Sequence, residues 1–220
     1  MAVFVFTTLT MKNKLDLENW SRREHFEFFR KFEEPFFGIV ADVDVTKAYA
    51  TAKSAKTSFF LYYLHKVAAA VNGVEAFRYR IAGDEVVVYD KIDVSATLTR
   101  DDNTFGFSLM EFHKSFNEFE ASAKKEIERV RTTPGLFTRA FEVDNIIHFS
   151  AVPWVNFTSL SHARSFTLAD SCPKISVGKM VENNGYKIMP VSVHVHHGLM
   201  DGYHVGLFFD LLQEKLNENL

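Results

Sequence analysis

The stretch that most constrains this chain runs from Tyr186 into the helix after Gly202. Tyr186 to Val195 reads as a strand. Side chains alternate along a strand, so His194 and His196 share one face, while His197 points the other way or sits where the strand ends. Gly198 and Gly202 bracket a tight connection, where glycine allows unusual dihedrals and the close approach of another group. Leu207, Phe208, Leu211, Leu212 and Leu216 then recur at helical spacing. A strand that hands over to an amphipathic helix in this way needs a sheet to join and a layer of helices to cover it.

The rest of the sequence supplies both. Ser21-Arg22-Arg23-Glu24 has the spacing of a capping box, and Phe28, Phe29 and Phe32 follow as an apolar stripe. Gly38–Val43 reads as a strand, and Thr46 or Ser54 can start a helix. Phe59–Val71 is the strongest helical run, stopped by Asn72-Gly73. Phe77–Ile81 and Glu85–Tyr89 flank the turn Ala82-Gly83-Asp84 as a hairpin. Ile92–Thr99 and Thr104–Phe112 are further strands. Phe116, Phe119, Ala123, Ile127 and Val130 mark a long helix closed by Pro134-Gly135. Ile146–Ser150, Trp154–Thr158 and Lys174–Val181 complete the strands, and Asn183-Asn184-Gly185 turns the chain into the last one. The mixture predicts an α/β layer fold around one sheet.

No Gly/Ser- or Pro-rich linker divides the 220 residues, and no repeat is visible, so residues 1–220 are expected to form one domain. The 25 basic residues against 28 acidic ones leave no basic field for a nucleic-acid backbone. The single cysteine, Cys172, rules out an internal disulfide and a cysteine-cluster zinc site, and fits a reducing compartment. No apolar run reaches 18 residues, and Met1–Phe6 lacks a basic leader, so the expected location is cytoplasmic, with no membrane partner. Phenylalanine is the outlier, at 23 residues. That aromatic mass can fill a core, a subunit seam or a pocket for a flat ligand.

Three readings of the histidines follow from chemistry. His194, His196 and His204, with Asp201, could hold a metal, although no H-E-x-x-H helix is present. Alternatively, Asp201 caps the last helix and the histidines are structural. In the third reading, a neutral imidazole rigidly mounted at a strand end takes a proton from an attacking hydroxyl or thiol.

His196-His197-Gly198-Leu199-Met200-Asp201-Gly202 matches the HHxxxDG signature of chloramphenicol acetyltransferases, and resembles that of the catalytic domain of 2-oxoacid dehydrogenase acyltransferases. Trp20–Phe26, the hairpin Phe77–Asp90 and Phe149–Ser159 resemble further motifs of the family, in order, over nearly the whole chain. The resemblance implies a two-layer sandwich with a mixed, mainly antiparallel sheet and packed helices. It implies acetyl-CoA as co-substrate, direct acetyl transfer to a small-molecule hydroxyl without an acyl-enzyme, and no metal. His197 would be the general base and Ser150 a hydrogen-bond donor to the tetrahedral oxyanion. Ser176, where the family usually has threonine, would hold a water beside the intermediate. Asp201 would pair with Arg22 to keep the site's shape. Phe28, Phe29 and Leu160 would line the acceptor pocket, and Trp154 the coenzyme tunnel unless it is core. Three copies would form a ring with sites between neighbours, the long Phe-rich first helix lining the pocket.

Leu160-Ser161-His162-Ala163-Arg164 departs from the family's pattern, as does His194, where glutamine is usual; Thr132–Phe141 is only loosely similar. These positions concern the acceptor, so chloramphenicol is the first candidate, and another hydroxylated small molecule is the alternative. A non-catalytic coenzyme A-binding relative is the remaining reading. A lipoyl acyltransferase would need a lipoyl domain and linker for which this chain has no room.

Overall fold

The structure, a computed structural model, describes residues 11–139, 143–166 and 170–219. Met1–Phe6, and Ala140 and Phe141 at the end of the loosely similar stretch, lie outside the described residues.

The elements run β1 (Lys12–Lys14), α1 (Arg23–Phe29), β2 (Phe36–Asp44), α2 (Thr46–Ser54), α3 (Phe59–Gly73), a 3-10 turn (Glu75–Arg78), β3 (Tyr79–Ala82), β4 (Glu85–Tyr89), β5 (Asp93–Thr99), β6 (Phe105–Phe107), α4 (Phe116–Thr132), β7 (Ile146–Ala151), β8 (Lys174–Val177), β9 (Val181–Asn183), β10 (Tyr186–His196) and α5 (Gly202–Leu216). The main sheet has the order β2-β10-β8-β7-β5-β6, with β9 also paired to β10. Only β5–β7 and β7–β8 are parallel; the other pairs are antiparallel. β1, β4 and β3 form a separate small sheet. This is the expected mixed, mainly antiparallel α/β sandwich.

Alternation decides the layers. Val191, Val193 and Val195 of β10, with Ile175, Val177, Ile147 and Phe149 on neighbouring strands, form the buried apolar face. α3 lies over it, with Phe60 and Tyr63 against Phe149. α3 is buried nearly all round, as its apolar circumference requires, and α5 packs beside it. Gly73 has no left-handed φ and does not terminate α3 in the expected manner; a Cβ there would lie 2.5 Å from Leu211, so the glycine permits the α3–α5 contact. The turn before β10 does use backbone freedom, with Asn184 and Gly185 both at positive φ, as a type I′ hairpin requires.

Several local expectations need correction. α1 begins at Arg23 and has seven residues, so it is short; Ser21 does not cap it, and Arg22 occupies the N-cap without a side-chain capping bond. Phe77 and Arg78 belong to the 3-10 turn. Thr104–Phe112 keeps only Phe105–Phe107 as strand, with Met110 in an isolated bridge to Val94. Trp154–Thr158 is not a strand: it begins the connection from β7 to β8, in which His162 lies against His194 of β10. No helix of the described residues is long and apolar enough to cross a membrane.

Candidate active site

The second face of the main sheet is polar. Register sets Thr97, Ser150, Ser176 and Ser192 side by side across β5, β7, β8 and β10. His194 and His196 continue that face along β10, as alternation requires. Thr97 donates a hydrogen bond to the Ser150 hydroxyl at 3.4 Å, which leaves the Ser150 proton free to point elsewhere. Ser176 is 1% exposed and its hydroxyl has no partner.

His197 follows immediately after β10. Its amide donates to the Pro35 carbonyl at 2.8 Å, and its carbonyl accepts from Arg22 at 3.2 Å. The ring stacks on Phe29 with centroids 4.0 Å apart and planes 4° from parallel, and meets Phe37 at 4.6 Å. Nδ1 is enclosed without a partner, so Nε2 is the nitrogen left to meet another molecule. Next to it, the Gly198 amide donates to Nδ1 of His196 at 3.1 Å, placing the His196 proton on Nε2.

Asp201 does not touch the His197 ring. One carboxylate oxygen pairs with the Arg22 guanidinium; the other accepts from the Tyr203 amide at 3.0 Å and lies 2.9 Å from Nδ1 of His204. His204 and Arg22 hold the Asp201 carboxyl below its ordinary pKa against the opposing effect of burial. Asp201 is thus both cap of α5 and anchor of Arg22, which in turn holds the backbone of His197. His204 was not singled out for this role, although its position three residues after an N-cap aspartate is the spacing of a capping box. Nothing local in the sequence marks Thr97 or Phe37, because only strand register reveals their neighbours.

Arg22, Phe29, His197 and Asp201 therefore form one cluster, and Ser150 and Ser176 another. Five residues along β10 and two strands across put the two clusters roughly 19 Å apart within one chain. Phe28 is 59% exposed and packs edge-on against Phe29 and Phe32. Leu160 is half-buried, and its backbone bonds the His194 ring. Trp154 is 70% exposed, which removes the core reading for it in the single chain.

The metal reading is not supported by these contacts. His194 Nδ1 lies by the Ser192 hydroxyl, His196 Nδ1 accepts from Gly198, and His204 Nδ1 faces Asp201, so the three do not converge. Among the described residues, His148, Asp170 and Cys172 do bring their ligand atoms within 4.8 Å of one another. The Lys174 ammonium pairs with Asp170 there and already supplies the positive charge.

A sheet carrying a rigidly mounted strand-end histidine and a row of hydroxyls, with helices on its other face, is the architecture of coenzyme A-dependent acyltransferases. The chain belongs to the chloramphenicol acetyltransferase family, whose model matches residues 11–213. Chloramphenicol acetyltransferase 3 of Escherichia coli is 31% identical over 209 residues, covering 94% of this chain and 98% of that protein. The chloramphenicol acetyltransferase of Bacillus pumilus is 29% identical over 211 residues, covering 92% and 96%. A solved chloramphenicol acetyltransferase superposes with a TM-score of 0.85 at 32% identity, over 94% of this chain and all of the other. A probable dihydrolipoamide acetyltransferase from Listeria monocytogenes shares the fold, with a TM-score of 0.64 at 13% identity over 88% of each chain. The family is one of enzymes, and acetyl-CoA is the co-substrate expected of its members.

Proposed function

We propose that residues 1–220 form a single-domain, cytoplasmic O-acetyltransferase that moves the acetyl group of acetyl-CoA directly to the hydroxyl of a small molecule, with chloramphenicol the first acceptor to try. His197 is the base, and the observation that carries this role is its mounting: both main-chain groups tied, the ring clamped on Phe29, and Nδ1 enclosed. Nε2 takes the acceptor proton as that oxygen attacks the thioester carbonyl. Ser150, relieved of its own acceptor duty by Thr97, donates to the resulting oxyanion. When the tetrahedral adduct collapses, the carbon–sulfur bond breaks and the departing thiolate takes the proton from the imidazolium.

The roughly 19 Å between His197 and Ser150 argues for a site completed by a second copy. A homotrimer, with the base of one subunit facing the hydroxyls of the next, meets that need and agrees with the family. Phe28, Phe29 and Leu160 then line the acceptor side, Ser176 meets a water or the intermediate, Arg22 and Asp201 keep the base in register, and exposed Trp154 is available to the coenzyme. The contact of His194 with His162 (centroids 4.8 Å apart) and with the Leu160 backbone favours an acceptor other than chloramphenicol as the second reading, because both histidines depart from the family's usual residues.

The purified protein should release free thiol from acetyl-CoA only when an acceptor is added, in a panel that begins with chloramphenicol. His197→Ala should lower that rate by about 10²–10⁴. Full activity in the variant would end the assignment of the base.

A further inference from the structure

We propose that Arg100 is a positioning residue for acceptor binding: from behind β6 it fixes an aromatic edge that stands beside Ser150. The proposal rests on the acetyl-transfer reading above and adds a residue to it.

Strand register carries the hydroxyl row one strand further. Phe107 of β6 stands opposite Thr97 of β5, and Thr97 in turn bonds Ser150. Opposed residues share a face, as do residues two apart along a strand, so Phe105 and Phe107 both belong to the face of the hydroxyls. Phe107 is two strands, roughly 10 Å, from Ser150, within the reach of a small molecule held at that serine. It packs between Phe105, with centroids 5.6 Å apart, and Phe137, at 5.2 Å. Phe137 is 68% exposed in the single chain, and Phe105 is exposed with it. Rings grouped on the surface at the end of a polar row offer a binding edge to the body of a molecule whose hydroxyl sits in the row.

Gly106 faces the other way. A Cβ there would lie 2.5 Å from Nη2 of Arg100 and 2.9 Å from Val130 of α4, so the guanidinium and the helix occupy the back of β6. From that side Arg100 donates to the carbonyls of Val130 at 3.1 Å, Thr133 at 3.0 Å, Gly135 at 2.6 Å and Phe105 at 3.0 Å, and to the Thr104 hydroxyl at 3.4 Å. The first two carbonyls lie at the C-terminal end of α4, where a cation is favoured. One side chain thus ties together the end of α4, the loop that leads to Phe137 and the backbone of Phe105. A planar fork with five donors can reach so many carbonyls, whereas an ammonium offers three donors from one point.

The loop is pinned beyond Arg100 as well. The Phe107 amide donates to the Leu136 carbonyl at 3.0 Å, and Arg129, held by Glu126, donates to the Thr138 carbonyl at 3.0 Å. Arg100 therefore acts on an acceptor only through the backbone that carries Phe105 and Phe137. Its loss should loosen the aromatic edge and leave the coenzyme side as it was.

Chloramphenicol is the probe, titrated by calorimetry into full-length protein without acetyl-CoA, with coenzyme A titrated separately. Arg100→Gln should raise the chloramphenicol Kd about tenfold and leave the coenzyme A Kd unchanged, a split that a general loss of folded protein does not produce. Arg100→Lys keeps the charge, loses the fork and should behave alike; it carries the test if Arg100→Gln does not fold. Phe137→Ala should also weaken the probe, and adding Arg100→Gln to it should weaken it little further, because the arginine acts through that edge. An unchanged chloramphenicol Kd in the Arg100 variants, equal losses for both ligands, or additive losses in the double variant overturns the proposal. A change of oligomeric state in Arg100→Gln overturns it too, since the rings then serve a contact between copies. So does a wild-type protein that binds no chloramphenicol, because three rings set for an acceptor should hold one with an aromatic body; His197 and transfer to another hydroxyl are untouched by that result. Binding is read without turnover, so a failure to release thiol from acetyl-CoA ends the transfer reading and not this measurement.

Discussion

The Ser176 hydroxyl is enclosed and bonds nothing in the single chain, between the register partners Ser150 and Ser192. An unsatisfied buried hydroxyl costs about 1–3 kcal/mol, a penalty that a water, a substrate oxygen or a neighbouring subunit can remove. Stability and activity should therefore respond in opposite senses at this residue. Ser176→Ala is expected to leave the melting temperature unchanged or raise it, while kcat/KM for acetyl transfer falls; equal losses in both would make it an ordinary structural serine. Ser150 differs because its hydroxyl already accepts from Thr97 and remains half-exposed. Ser150→Ala should cost about 2.7–4 kcal/mol of transition-state stabilisation, read as a fall of 10²–10³ in kcat with a native circular dichroism spectrum.

At the scale of elements, β10 explains both what could be read from the chain and what could not. Its alternation is strict, so the shared face of His194 and His196, and the position of His197 at the strand's end, follow from period two alone. α3 and α4 were equally plain, because their apolar positions repeat over many turns. The failures lie where tertiary contacts replace local signals. Arg22 stands where Ser21 should cap because its guanidinium is drawn to Asp201, 179 residues away. Trp154–Thr158 has the residues of a strand but no ladder to join, since the chain there has left β7 for the connection to β8. Gly73 resembled a stop signal because its real reason, the Leu211 side chain, lies on another helix.

The same polar face predicts a pH dependence. Burial is the main cause that lowers His148, His162 and His196 to about 4, and nearby cationic groups add to it: Lys174 for His148, His194 and Lys174 for His162, and Arg164 for His196. The unfolded chain binds these protons near 6.5 and the native one does not, so the unfolded state holds more protons between those values. Stability is therefore full above about 6.5 and is lost as pH falls toward about 4. Asp93, raised by burial, acts in the opposite sense, but it is one group against these three and against His65 and His194, which burial also lowers. The melting temperature should drop steadily over that window, and His162→Gln should flatten the slope. A midpoint constant from pH 7 to pH 4.5 would show that the face opens and protonates without unfolding.

For the whole molecule, the separation of the two clusters makes the proposed assembly testable without a structure of it. Were His197 and Ser150 to serve one site within one chain, the geometry of β10, β8 and β7 would have to bring together residues set roughly 19 Å apart. If the base instead works on the hydroxyl row of a neighbour, His197→Ala and Ser150→Ala damage different halves of a shared site. Each variant alone assembles with every site defective. Co-refolded in equal amounts, they form mixed rings in which some interfaces pair the intact His197 of a Ser150→Ala chain with the intact Ser150 of a His197→Ala chain. Random mixing makes that combination about one site in four. The mixture should therefore recover roughly a quarter of the wild-type rate per chain, far above either parent, while each variant refolded separately and combined afterwards should not. A co-refolded sample no more active than the mean of its parents would place base and hydroxyl in the same subunit's site and refute the shared arrangement, even if the protein proves to be a trimer.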